Sequence, residues 1–193
     1  MAQTPSSFSL ELGSPMPVFA LPDAVGGGEV THESLRGAPA ALVMFICNHC
    51  PYVVHVRGAI GALERDYTPR GVRLVGINAN SLRTHPQDGP GPMRELAREL
   101  GWGFPFLFDE TQEVAKAFGA ACTPDFYVFD GGGRLAYHGQ LDESRPGRGG
   151  APTGRDVRAA LDAVLAGRAP EAAQKASIGC GIKWHPGREP AYL

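Results

Sequence analysis

Phe45-Ile46-Cys47-Asn48-His49-Cys50-Pro51 closes an apolar run that begins at Ala41 and opens a stretch with helical periodicity. It sets a C-x-x-C pair at the junction of a strand (residues 41–46) and a helix. The proline locates the junction. A residue that precedes proline is pushed out of the α region, and proline itself fits the first helical position, where no N–H is required. Cys50 is therefore expected at the N-cap and Pro51 at N1. Downstream, Val53, Val56, Ile60, Leu63 and Tyr67 recur at steps of three and four, while His55, Arg57, Glu64 and Arg65 fall off that stripe, the pattern of an amphipathic helix. A helix N-terminus presents unpaired N–H groups and about half a positive charge, so a sulfur held there is favoured as the nucleophilic thiolate.

Working outward, strand and helix alternate. The pattern predicts a strand over 72–77, a helix over 93–100 stopped by Gly101, an aromatic strand over 104–108, and a short helix carrying Val114, Ala117 and Phe118 that ends at Gly119. The segment 126–129 turns through Asp130-Gly131-Gly132-Gly133 into 134–139, which reads as an antiparallel hairpin. A last helix carries Val157, Leu161, Val164 and Leu165, with Thr153 as the expected N-cap, Asp156 three residues on, and Gly167 as its stop. Parallel strands joined by helices and followed by a hairpin give an α/β chain with a central mixed β-sheet flanked by helices on both faces. Segments 84–92 and 142–154 are rich in Pro and Gly and read as loops. Arg145, Arg148 and Arg155 border the second loop, either to recognise a carboxylate or, as is commoner, to solvate the loop. After Pro170 the periodicity is lost, which divides the chain into a domain over 1–170 and a C-terminal tail over 171–193 that carries Cys180 and Trp184.

The 193 residues, 43% of them hydrophobic, suffice for one substantial core. A formal net charge of -2, from 18 basic and 20 acidic residues spread along the chain, offers no basic stripe for nucleic acid. The N-terminal stretch lacks a charged segment followed by an apolar one, and no apolar run is long enough to span a bilayer, so a cytoplasmic protein without a membrane partner is expected. Four cysteines are too few for a secreted disulfide scaffold; in a reducing compartment C-x-x-C points to catalysis, redox sensing or metal.

Several stretches, in this order, resemble the thioredoxin-like superfamily and, within it, the redoxin branch of alkyl hydroperoxide reductase and thiol-specific antioxidant (AhpC/TSA) proteins and tethered thiol-disulfide oxidoreductases. They are Pro17-Val18-Phe19-Ala20-Leu21-Pro22-Asp23, Leu35-Arg36-Gly37, FICNHCPYV at 45–53, VGINAN at 75–80 and CTPDFYVFD at 122–130. The tail Ser177-Ile178-Gly179-Cys180-Gly181-Ile182-Lys183-Trp184 resembles a bacterial subgroup with a CNHCP motif. The resemblance implies a thioredoxin-like fold in which Pro124 is a cis-proline facing the active-site cysteines and the backbone of Thr123 pairs with substrate.

Two registers of the cysteine pair follow from that resemblance. In one, Cys47 attacks and Cys50 resolves, but Pro51 then falls inside the first turn and forces Cys50 out of helical geometry. In the favoured register the spacing from Phe45 makes Cys50 the attacking cysteine, Val53 takes the position of the usual second cysteine, and Cys47 becomes an upstream resolving thiol. His49, flanking the nucleophile, either lowers its pKa further or faces solvent. Cys122 is either a secondary redox partner or a core filler; Cys180 either folds back as a resolving thiol, pairs with Cys122, or stays free.

The expected function is a thiol-disulfide oxidoreductase acting on protein or small-molecule disulfides. Its electrons would come from thioredoxin or a low-molecular-weight thiol, without a dissociable cofactor or metal. A peroxide reductase with Cys50 as the peroxidatic cysteine is the alternative, weakened because the peroxidase motif expects proline and threonine or serine where Val43 and Cys47 stand. The distant alternative is a zinc-binding or sensing module in which Cys47 and Cys50 join His49, His55 or Cys180, although structural zinc requires four closed ligands.

Overall fold

The computed structural model describes residues 3–148 and 150–193, leaving out Met1, Ala2 and, inside the 142–154 loop, Gly149. A short strand β1 (Gln3–Pro5) and a hairpin of β2 (Ala20–Pro22) and β3 (Glu29–Thr31) precede the core. The chain then alternates β4 (Ala40–Phe45), α1 (Pro51–Tyr67), β5 (Arg73–Asn78), α2 (Pro90–Leu100), β6 (Phe106–Phe108) and α3 (Glu113–Ala117). There follow β7 (Cys122–Thr123), the hairpin β8 (Asp125–Asp130) and β9 (Leu135–Gly139), helix α4 (Arg155–Leu165) and a tail strand β10 (Ile178–Gly181).

Five strands form the central sheet in the order β6-β5-β4-β8-β9, with β4, β5 and β6 parallel and β8 and β9 antiparallel. β4 lies in the middle and is buried at all six positions. Its alternating side chains explain why. Ala40, Leu42 and Met44 enter one apolar cluster with Val53, Val56, Ile60 and Leu63 of α1, Met93 and Ala97 of α2, and Val157 and Leu161 of α4. Ala41, Val43 and Phe45 enter the other, with Val114 and Ala115 of α3, Phe118, Phe19 and Tyr127. A period of two along the strand thus serves two helical layers, and the mixed sheet with helices on both faces is the expected architecture.

Where boundaries differ, the reasons are local. α2 begins at Pro90, three residues before the expected start, because Pro90 and Pro92 sit in the first turn, whose N–H groups have no intrahelical partner. β6 begins at Phe106, since Pro105 has no N–H for the ladder. Thr153 does not cap α4. The N-cap is Gly154, at φ +73°, where the Asp142 carboxylate accepts the N–H groups of Thr153 and Gly154 at 2.6 and 2.7 Å. The same carboxylate closes the base of the 142–154 loop. Arg145 donates to the carbonyls of Asp142 and Ser144, and Arg155 pairs with Asp156, so these guanidiniums hold the loop itself.

The tail lies across the sheet. The Gln174 side chain accepts the His138 N–H at 2.8 Å and donates to the Ala136 carbonyl at 2.9 Å, which covers the open edge of β9. β10 then runs antiparallel between β1 and β7, pairing Cys180 with Gln3 on one side and with Thr123 on the other. Beyond it, the Lys183 N–H reaches Asn80 and the Lys183 carbonyl accepts from Ser81 and Gln112, all at 2.8 to 2.9 Å. Among the described residues no helix is long and apolar enough to cross a membrane.

Phe118 is fully buried at the junction of Phe45, Tyr127 and Phe129, with ring centroids 5.4 to 6.0 Å away in edge-to-face geometry. Phe118→Ala is expected to lose about 3–5 kcal/mol, read as a lower urea midpoint with an unchanged slope. A loss below about 1 kcal/mol would mean that this second cluster repacks freely.

Candidate active site

The end of β4 and the start of α1 place both cysteines. Cys50 is the N-cap, with φ -62° and ψ 123°, and Pro51 begins the helix, as the proline requires. The Thr123–Pro124 peptide bond is cis and lies opposite. Both sulfurs meet the residue ahead of that bond: the Cys50 sulfur lies 3.2 Å from the Thr123 carbonyl oxygen, and the Cys47 sulfur 3.5 Å from the Thr123 hydroxyl. All three residues are buried.

The two thiols are electrostatically unlike. The Cys50 thiol is lowered from 9.0 to about 5, first by a hydrogen bond from the Cys47 thiol; burial opposes this, and donors from the Cys180 thiol and the Val53 and Cys180 amides add to it. Cys47 moves well upward, first because it donates to Cys50, then through burial and the negative Asp88 carboxylate. One proton is in effect held on Cys47 while Cys50 carries the charge, the ordering expected for an attacking thiolate beside a reserve thiol.

His49 is held from the loop that carries Asp88. Its ring is paired with Asp88, Nδ1 lying 2.8 Å from Oδ2, and stacks on His85 with centroids 5.0 Å apart. Asp88 is fully buried and also accepts the Asn48 N–H at 3.1 Å and the Asn80 amide at 2.8 Å, while Asn78 donates to its carbonyl. Asp88 is the functional residue that sequence reasoning passed over, because it falls in a segment read only as a loop. The VGINAN stretch held the signal, since its asparagines sit at the end of β5 and bind Asp88.

Cys47, His49 and Asp88 bring three metal-ligating atoms within 4.8 Å of one another. A structural zinc site closes on four ligands; here the carboxylate is already engaged by three donors, and neither Cys50 nor His55 belongs to the group. Cys122 is buried in β7, its thiol directed to the Pro124 carbonyl at 3.8 Å and pushed well up by burial, which suits a neutral filler. Cys180 lies instead over Cys50, with its thiol raised to about 12 by burial and by donation to Cys50.

The mixed sheet with a cysteine at the start of the first core helix is thioredoxin-like, and solved structures share the fold. The thioredoxin domain of a thiol-disulfide oxidoreductase from Bacteroides vulgatus superposes with a TM-score of 0.59 at 17% identity, covering 78% of this chain and 97% of that one. The chain belongs to the AhpC/TSA family, whose model matches residues 12–138. It is 27% identical over 128 residues to the thiol-disulfide oxidoreductase YkuV of Bacillus subtilis (strain 168), a match over 66% of this chain and 84% of that protein. It is 50% identical to an uncharacterized conserved protein from Geobacillus kaustophilus, whose crystal structure superposes with a TM-score of 0.93 over 96% of this chain and 98% of its own. The family match spans the Cys47/Cys50 pair and Pro124 but ends before the tail.

A thiol whose folded pKa is depressed contributes stability that is complete above its ordinary value and is lost as the pH falls through the folded one. For Cys50 that window runs from 9.0 down to about 5. The reduced protein is therefore expected to lose stability relative to Cys50→Ser as the pH falls across that range, measured by urea denaturation at stepped pH. Parallel profiles for the two proteins would contradict the depressed pKa.

Proposed function

We propose that the protein is a thiol-disulfide oxidoreductase that reduces protein or small-molecule disulfides with Cys50 as the attacking thiolate and Cys47 as the resolving thiol. The meeting of both sulfurs at Thr123 carries this reading, because it brings a thiol pushed well up beside one lowered to about 5, a reserve proton holder next to a nucleophile. Cys50 attacks one sulfur of the substrate, breaking its S–S bond, forming a mixed disulfide and expelling the first thiolate. Cys47 then gives up its proton and attacks the Cys50 sulfur; the second substrate thiolate leaves, and a Cys47–Cys50 disulfide remains.

Thr123 and Pro124 flank the reacting sulfurs and are the residues proposed to receive the substrate backbone. Reduction back to the dithiol is assigned to thioredoxin or a low-molecular-weight thiol, with no dissociable cofactor, in a cytoplasmic setting where such donors are maintained. The His49–Asp88 pair beside Cys47, its carboxylate buried and its imidazole part-exposed, is suited to take the proton that Cys47 must lose.

Family membership also supports a peroxide reductase, in which Cys50 forms a sulfenic acid that Cys47 condenses with. The donors to the Cys50 sulfur are thiols and amides, and Cys47 stands where the peroxidase motif has its hydroxyl, so the disulfide reading is preferred. Stopped-flow oxidation of the reduced protein by hydrogen peroxide separates the two: a rate no faster than that of a simple thiolate is expected, and one orders of magnitude above it would select the peroxidase. Cys50→Ser is expected to abolish disulfide turnover. Cys47→Ser is expected to slow it; turnover at the parent rate would remove Cys47 from the resolving role.

A further inference from the structure

The Cys50 sulfur is fully buried, and what closes it is the chain's own tail. β10 occupies the strand edge beside the nucleophile, with Cys180 opposite Thr123 and Gly181 opposite Cys122, and the ladder continues in the Ile182 N–H to Ala121 carbonyl bond of 3.0 Å. The fit is close. A Cβ on Gly179 would stand 2.0 Å from the Thr123 carbonyl oxygen, so no other residue allows the strand this near the cis bond. Ser177 anchors the approach by accepting the Ser6 N–H at 3.0 Å and donating to the Gly139 carbonyl at 2.7 Å. Cys180, only 4% exposed, packs in the same buried cluster as Cys47 and Cys50.

The result is three cysteines gathered at Thr123: the Cys47 and Cys50 sulfurs both meet it, and Cys180 is its partner in the strand ladder within the same buried cluster. We infer that Cys180 is a third redox-active cysteine, which exchanges with Cys47 for the Cys50 sulfur, so that the oxidised protein holds a Cys50–Cys180 as well as a Cys47–Cys50 disulfide. The inference rests on Cys50 being the nucleophile proposed above. In the exchange the Cys180 thiolate attacks the Cys50 sulfur of the Cys47–Cys50 disulfide. One S–S bond forms and one breaks, Cys47 leaves as thiolate, and the proton given up by Cys180 ends on Cys47, with no net oxidation and no external reagent. The Lys183 ammonium, held on the Gly181 carbonyl at 2.6 Å, favours the thiolate that this step requires. The exchange moves the oxidised sulfur from beneath the strand to the strand itself, where a donor thiol can collect it. It also means that an external disulfide reaches Cys50 only when β10 lifts away from Thr123.

The test is disulfide mapping by alkylation and peptide mass spectrometry after the fully reduced protein has been treated with one equivalent of glutathione disulfide. Wild type is expected to yield both Cys47–Cys50 and Cys50–Cys180, and Cys180→Ser only the first. Cys47→Ser is expected to yield intramolecular Cys50–Cys180, and the double variant with Gly179→Val, which unseats the strand without removing a thiol, to lose that disulfide and keep an open mixed disulfide on Cys50. Oxidised Cys50 with Cys180 still free to alkylate, in both wild type and Cys47→Ser, would overturn the relay and leave the Cys50 nucleophile standing. Oxidation that leaves Cys50 itself alkylatable would instead overturn the nucleophile on which both readings rest.

Discussion

The approach of the Thr123–Pro124 loop to the first turn of α1 is the contact on which the site depends. A cysteine at a helix N-cap already sits in a field that favours its thiolate, but that field falls off within a turn and is modest in size. Against Thr123 the sulfur is buried, and burial by itself raises a thiol. The balance is reversed by donors. The Cys47 and Cys180 thiols act against burial and lower Cys50 to about 5, since a donor near a charge counts for more where the surroundings are apolar.

The elements around that contact have separable duties. β4 and α1 supply the cysteines and β8 continues from the cis bond; β5 ends in the asparagines that hold Asp88. The buried Asp88 carboxylate is tolerated because amide and imidazole donors surround it. The same carboxylate acts on Cys47 with the opposite sign to the donors acting on Cys50. Two cysteines three residues apart are driven to opposite protonation states, which is what a nucleophile and its resolving partner require.

Much of this was legible along the chain. The Cys50-Pro51 step located the helix start, and the apolar run over 41–46 located the strand before it, because both are consequences of local stereochemistry and of hydrophobic pattern. The short strands were not legible. β1 and β10 have three and four residues, β7 has two, and none shows an alternation that marks a strand; each is held by its partners. Thr153 carried the composition of a helix cap, yet the Asp142 carboxylate, eleven residues earlier, took the amides that a cap would satisfy. His49 was read against the adjacent cysteine, whereas its partner came from residue 88, a long-range pairing that sequence neighbours do not reveal.

The amino-acid sequence therefore determined the reactive element by itself: an apolar strand, a C-x-x-C pair and a proline that starts a helix, each acting through backbone sterics and short-range periodicity. Which groups stand over the Cys50 sulfur was decided only by tertiary structure. Cys47 is three residues away, Thr123 leads into the neighbouring strand β8, Asp88 is in a loop, and Cys180 arrives on the tail through a strand that Gly179 alone allows to come close. Hydrogen bonding and desolvation act over a few ångströms of space whatever the separation in sequence, so the order of the residues could place the cysteine pair at the helix start but not choose its company.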